Sequence, residues 1–213
     1  MPQRQQPPSR RRLIRTAMGA AALVGLASAR ALAATPTPSQ TEGPFYPLDK
    51  PADRNNDLIH VDGQTAPAQG ERLTLGGRVL DSSGAPVPDA RVEIWQCDHH
   101  GVYHHPYARR SDADPGFQGF GETLTDADGR YDFLTLVPVP YPGRPPHIHA
   151  KLHIGGRERL TTQLYLRDHP ENDRDGLFGF HLGGDRDRLM IRTERAGEID
   201  GVAAYSAEFD FVV

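Results

Sequence analysis

One stretch constrains this chain more than any other: Tyr141-Pro142-Gly143-Arg144-Pro145-Pro146-His147-Ile148-His149-Ala150-Lys151-Leu152-His153-Ile154. In an extended strand, successive side chains point to opposite faces. Ile148, Ala150, Leu152 and Ile154 then share one face, a good match to a core, and His147, His149, Lys151 and His153 share the other. Two imidazoles two residues apart on one side of a stiff strand can converge on a single metal ion. Just upstream, Pro140, Pro142, Pro145 and Pro146 stiffen a loop that presents Tyr141 to the same region. The pattern points to a site built from phenol and imidazole.

The remainder of the chain reads as β structure around that strand. Its 213 residues suffice for one domain with a proper core. With 22 Gly and 19 Pro, it suits a turn-rich β protein better than a helical one. Alternating apolar residues predict strands over Arg72–Leu80 and Ala90–Cys97. In the second of these, Val92 and Ile94 face the core while Glu93 and Trp95 face away. A short strand ends near Leu136, and a hairpin through Gly155-Gly156 leads to Leu160–Leu166, where Gln163 points the same way as the histidines. Final strands are expected over about Arg188–Glu194 and Gly201–Val213. The expectation is an all-β fold, an antiparallel β-sandwich with long connecting loops and an extended N-terminal arm. The sandwich spans 71–213 and the arm 34–70, where Phe45 and Tyr46 favour an arm packed over the domain.

Residues 1–33 read as an export signal. Arg10-Arg11-Arg12 opens it, a modest apolar stretch from Ala17 to Ala29 is too short for a comfortable membrane span, and Ala31-Leu32-Ala33 offers a small-x-small cleavage pattern. The paired arginines resemble the twin-arginine signal, which carries proteins out already folded, so an exported, periplasmic or extracellular protein is expected. The mature form then has no membrane span. With the six arginines of that segment set aside, 18 basic residues face 28 acidic ones, a formal charge of −10. So acidic a chain is a poor nucleic-acid binder. The single cysteine, Cys97, has no internal disulfide partner and reads as a small buried hydrophobe.

Phenolate is a hard, anionic donor that favours a hard, highly charged ion such as Fe(III) over Zn(II). Two phenolates and a hydroxide would neutralise a trivalent ion, which removes most of the cost of burying it. Several collinear stretches carry a more specific signal: Thr41-Glu42-Gly43-Pro44-Phe45-Tyr46, Val92-Glu93-Ile94-Trp95-Gln96, Gly101-Val102-Tyr103, Thr125-Asp126-Ala127-Asp128-Gly129, Pro140-Tyr141-Pro142, Arg144-Pro145-Pro146-His147-Ile148-His149 and Thr162-Gln163-Leu164-Tyr165. Through them the chain resembles the intradiol ring-cleavage dioxygenases, most of all the iron-bearing chain of protocatechuate 3,4-dioxygenase. The helical region typical of the catechol branch has no counterpart here.

The resemblance implies non-haem Fe(III) held by Tyr103, Tyr141, His147 and His149, with Tyr107 a lower-ranked rival for the first position. It implies a catechol-type substrate and O₂, with ring cleavage between the two hydroxyl-bearing carbons to a cis,cis-muconate-type diacid. Tyr141 would leave the metal and take up a substrate proton. Arg144 would stabilise ring carbanion character by its fixed charge, and Trp95 and Gln163 would line the substrate pocket. Only two residues separate Tyr141 from Arg144, fewer than in the protocatechuate enzyme. Catechol, hydroxyquinol, protocatechuate and lignin-derived catechols therefore all stay open, as does the oligomeric state, a homo-oligomer included. His99, His100, His104 and His105 acquire no family role. The stretches 77–92 and 125–133 also resemble transthyretin-like binding modules, and an iron or catecholate scavenger without turnover is a further alternative. The Tyr103, Tyr141, His147 and His149 set is what separates the enzyme from such a module.

Overall fold

The computed structural model describes residues 34–108, 112–175 and 183–213, and these form ten strands, several of them over the stretches of period-2 alternation. The expected export signal lies outside the described residues. The strands are β1 (Arg72–Leu80), β2 (Arg91–Trp95), β3 (Phe120–Leu124), β4 (Arg130–Leu136), β5 (His147–Ile154), β6 (Arg157–Leu166), β7 (Met190–Ile191), β8 (Glu194–Ile199), β9 (Val202–Glu208) and β10 (Phe211–Val212). One sheet runs β10-β1-β9-β8 with β4 also paired to β1, and the other runs β3-β2-β5-β6-β7. Leu73, Leu75 and Phe133 of the first meet Val92, Ile94, Ile148, Ala150, Leu152 and Leu164 of the second in one core. Burying each such side chain contributes about 1.5–3 kcal/mol.

The expected sandwich is present, and its pairing is mixed. β1 runs parallel to β9 and β10, and β6 parallel to β7, because those partners return over long connections rather than tight hairpins. The strand expected over 188–194 is broken up: Arg188 and Leu189 end a 3₁₀ helix, Gly183–Leu189, Met190–Ile191 form β7, and Glu194 opens β8. The strand expected over 201–213 breaks into β9 and β10, where Phe209 N–H bonds Gly76 O and Asp210 accepts from Arg78 N–H. β3 escaped the sequence reading because Phe120-Gly121-Glu122-Thr123-Leu124 has no alternation, yet it pairs along the whole of β2.

The second sheet matters most for function. Its inner face feeds the core, so Glu93, Trp95, His147, His149, Lys151, Gln163 and Tyr165 project from the outer face. Cross-strand register sets these side chains in rows: Trp95, His149 and Gln163 are direct neighbours, as are Glu93 with Lys151 and His147 with Tyr165. The N-terminal arm covers this face. Its backbone pairs Gln40 N–H with Thr161 O, and Pro38 O accepts from Thr162. Glu42 binds Lys151, while Tyr46 Oη and Lys50 Nζ reach the fully buried Glu93 at 2.7 and 2.6 Å. Further on, Leu58 and Ile59 enter the core itself, although the sequence around them has no apolar period.

Candidate functional site

Four candidate ligands meet where the arm, the Pro-rich loop and β5 converge. β5 brings His147 and His149 side by side, their Nε2 atoms 3.2 Å apart. His147 Nδ1 is fixed by Pro145 O at 2.7 Å, which sets the tautomer and leaves the Nε2 lone pair directed at the shared space. The proline-stiffened loop sets the Tyr141 ring 5.5 Å from His147 and perpendicular to Tyr103 at 5.4 Å, centroid to centroid. Tyr103, on the loop after β2, lies 6.1 Å from the His149 ring.

Burial, with the adjacent Arg144 charge, drives the His147 imidazole down to about 3. His149 is likewise pushed well below its usual value, by burial first and then by His147 and Arg144. Both rings are therefore neutral donors. Tyr103 is pushed far up, chiefly by burial. Burial also raises Tyr141, and Arg144 opposes it. A phenol in such surroundings keeps its proton unless a strong cation takes the proton's place.

The donor set fits a ferric ion. The buried Tyr103 hydroxyl has no well-aligned hydrogen bond and has the Tyr141 phenol beside it, so its oxygen is available as a donor to a cation. Among the described residues, no trio of His, Cys, Asp and Glu gathers to hold a metal, whereas two phenols stand beside the imidazole pair. Cys97 is buried, with its thiol pushed up to about 12 by desolvation, which makes it a poor thiolate donor.

Tyr103, not its rival Tyr107, stands against Tyr141 and His149. Tyr107 is 74% exposed, and its ring lies against that of His105. A cavity of about 720 Å³ opens beside Tyr103 and Tyr141, lined also by Phe45, Gly101, Val102, Tyr107 and Pro142. A smaller cavity of about 440 Å³ flanks the other side of the Tyr141 loop, beside Arg144 and Arg174.

A protein-family model described as "Dioxygenase" matches residues 41–213. The beta chain of protocatechuate 3,4-dioxygenase from Burkholderia cepacia is 36% identical over 181 residues, covering 80% of this chain and 76% of that protein. An intradiol ring-cleavage dioxygenase from Aspergillus niger is 32% identical over 183 residues, covering 75% of this chain and 51% of that protein. The chain belongs to the intradiol ring-cleavage dioxygenases. Among solved structures, the dioxygenase domain of a dioxygenase–carbohydrate-binding fusion from Streptomyces sp. SirexAA-E superposes with TM-score 0.65 at 33% identity, over 84% of this chain and 98% of that one. The chain spans only about half the length of the Aspergillus relative.

Within this intradiol dioxygenase, Trp95 and Gln163 adjoin the ligand group and line neither of the two cavities beside Tyr141. Trp95 stacks flat on the His149 ring at 4.7 Å and 9°, and so holds its plane. Gln163 Oε1 accepts from Arg144 at 2.6 Å, and its Nε2 donates to Thr41 O at 2.8 Å. Arg144 also meets Asp175 and Tyr165, at 3.2 Å each. Three functional neighbours escaped the sequence reading. Phe45 stacks on Tyr103 at 4.5 Å and wards one side of the cavity. Asp175 sits in a polar loop with no local signal. Tyr165 could have been found, since it lies two residues beyond Gln163 on the same strand face.

His99, His100, His104 and His105 do not join the ligand group. His99 faces Asp114 at 3.7 Å, and His105 packs under Phe45. His153 is half-buried 3.5 Å from Glu93, on the ligand face but within the arm's charge network.

Proposed function

We propose that this protein is a non-haem Fe(III) dioxygenase that opens catechol-type rings between their two hydroxyl-bearing carbons. The observation that carries this reading is the convergence of two buried, neutral imidazoles and two phenols, with a cavity beside them. Tyr103, Tyr141, His147 and His149 would hold the ion. When bound, it supplies the Lewis-acid centre that makes a chelated catechol reactive toward O₂.

The chain's own groups divide the remaining work. Tyr103 is enclosed and His147 and His149 are strand-held, so these three are fixed donors. Tyr141 rides on a loop, is only partly buried and borders both cavities, so it is the donor able to swing out. Its Oη can then take one of the two protons that a catechol gives up. Arg144 keeps a permanent charge beside the site and favours the anionic ring as oxygen adds. Phe45 and Trp95 keep water from the donors.

The overall reaction inserts both atoms of O₂, one on each carbon of the broken C–C bond, giving a cis,cis-muconate-type diacid with no other oxidant. Relatives are named for protocatechuate, hydroxyquinol and catechol, and the ring substituent here falls within that class. The test is turnover of catechol, protocatechuate and hydroxyquinol under ¹⁸O₂ by the iron-loaded protein. One O₂ consumed per ring, with a label in each new carboxyl group, is expected. Consumption without ring opening, or formation of quinone and peroxide, would refute the assignment.

A further inference from the structure

Arg144 hydrogen-bonds the side chains of Asp175, Gln163 and Tyr165 and lies against the Tyr141 phenol, and Tyr165 has had no role so far. Tyr165 is wholly buried on β6, directly across from His147. Its hydroxyl accepts from Arg144 Nη2 at 3.2 Å and has two acceptors in reach, Gln40 Oε1 at 2.9 Å and Gln163 Oε1 at 3.0 Å. Gln163 Oε1 already receives the shorter bond from Arg144, at 2.6 Å. The single Tyr165 proton is therefore best spent on Gln40, which leaves an oxygen lone pair facing the guanidinium. Gln163 is anchored in turn, through Nε2 to Thr41 O at 2.8 Å. Both supports of Nη2 thus end on the N-terminal arm.

We propose that Tyr165 is a positioning residue for Arg144, and that Gln40 and Thr41 of the arm set the pose of that guanidinium through Tyr165 and Gln163. What Arg144 then does in catalysis rests on the dioxygenase reading, whereas the network does not. Without the Tyr165 hydroxyl, the guanidinium keeps its bonds to Asp175 and Gln163 but can pivot about them. A displacement of about 1 Å penalises the reaction far more than substrate affinity. The arm is accordingly part of the catalytic apparatus rather than a cover over it.

A double-mutant cycle on the full chain separates this from simple packing. Tyr165→Phe keeps the ring beside His147 and removes only the hydroxyl. In the iron-loaded protein it is expected to lower kcat for catechol about tenfold while KM moves less than about twofold. Gln40→Met, which keeps the side-chain length but no acceptor, lowers kcat by a smaller factor, and Gln40→Glu, which keeps an acceptor oxygen, recovers most of it. In an Arg144→Met background, Tyr165→Phe should change kcat less than about twofold. An equal loss in both backgrounds, or no loss in either, overturns the proposal.

A second readout needs no turnover. In the metal-free chain, the Tm losses of Tyr165→Phe and Arg144→Met should sum to more than the loss in the double variant, because both break the same bond. Strictly additive losses overturn the network even if the enzyme is active. A wild-type protein that consumes no O₂ would instead sink the dioxygenase reading, with the Tm cycle still deciding the network.

Discussion

At Gly43 the arm turns with φ of +73°, and a Cβ there would stand 3.4 Å from His149 Cε1. Only glycine holds that backbone without strain, so Gly43→Ala should cost about 1 kcal/mol, or roughly 2–4 °C in Tm. Gly155 has a similar φ of +58° with open space around it. Gly155→Ala should therefore lower Tm comparably, while Gly43→Ala alone perturbs the His149 ring signals in NMR spectra. Unchanged His149 signals in Gly43→Ala would show that the arm does not brace the ring. At this scale the sequence was informative where one residue type serves one purpose. His147 and His149 followed from alternation, and Tyr141 from its proline frame. Trp95 and Gln163 are expected against substrate and are absent from the lining of the two cavities beside Tyr141, because which side chain faces a cavity depends on the covering segment. That segment is the arm, and its path is not written in any local pattern.

The arm and β2 form the element that closes the site from behind. Burial alone would raise the Glu93 carboxyl, but hydrogen bonds from Lys50 and Tyr46 outweigh it and hold the group below its usual value. A carboxylate so lowered contributes stability that is complete above its unfolded value of 4.5 and is lost as pH falls through the folded one. Thermal unfolding between pH 7 and pH 3 should show this directly. Wild-type stability should fall steeply once the pH drops below about 4.5, and Glu93→Gln should start about 2–3 kcal/mol lower at neutral pH with a flatter acid limb. Parallel acid limbs in the two proteins would mean that the arm clamp does not depend on the Glu93 charge. The sequence foretold a packed arm from Phe45 and Tyr46, and the structure seats both, on Tyr103 and on Trp95. It did not foretell β3. Gly121 there lies so close to Asn55 O and Leu58 that a Cβ would meet them at 2.6 Å, so its place is set by the arm crossing above it.

Over the whole molecule, the sandwich places Trp95, His147, His149 and Gln163 on the outer face of one sheet, brings Tyr103, Tyr141 and Arg144 to them on loops, and commits the inner face to the core. That division was legible because β2, β5 and β6 alternate cleanly: Ile94, Ile148 and Leu164 face inward, Trp95, His149 and Gln163 outward. The parallel pairings of β9, β10 and β7 were not, since strand direction depends on how long connections return and carries no residue signature. The acidic balance and the family match agree with a small-molecule enzyme. The most direct test of the central claim is the visible spectrum of the iron-loaded protein, with catechol added first without oxygen and then with it. Two tyrosinates on Fe(III) predict a red protein whose band moves to longer wavelength with catechol and bleaches when oxygen is admitted. A protein that takes up Fe(III) yet stays colourless, or whose band ignores catechol, would contradict the assignment of Tyr103, Tyr141, His147 and His149 to the metal.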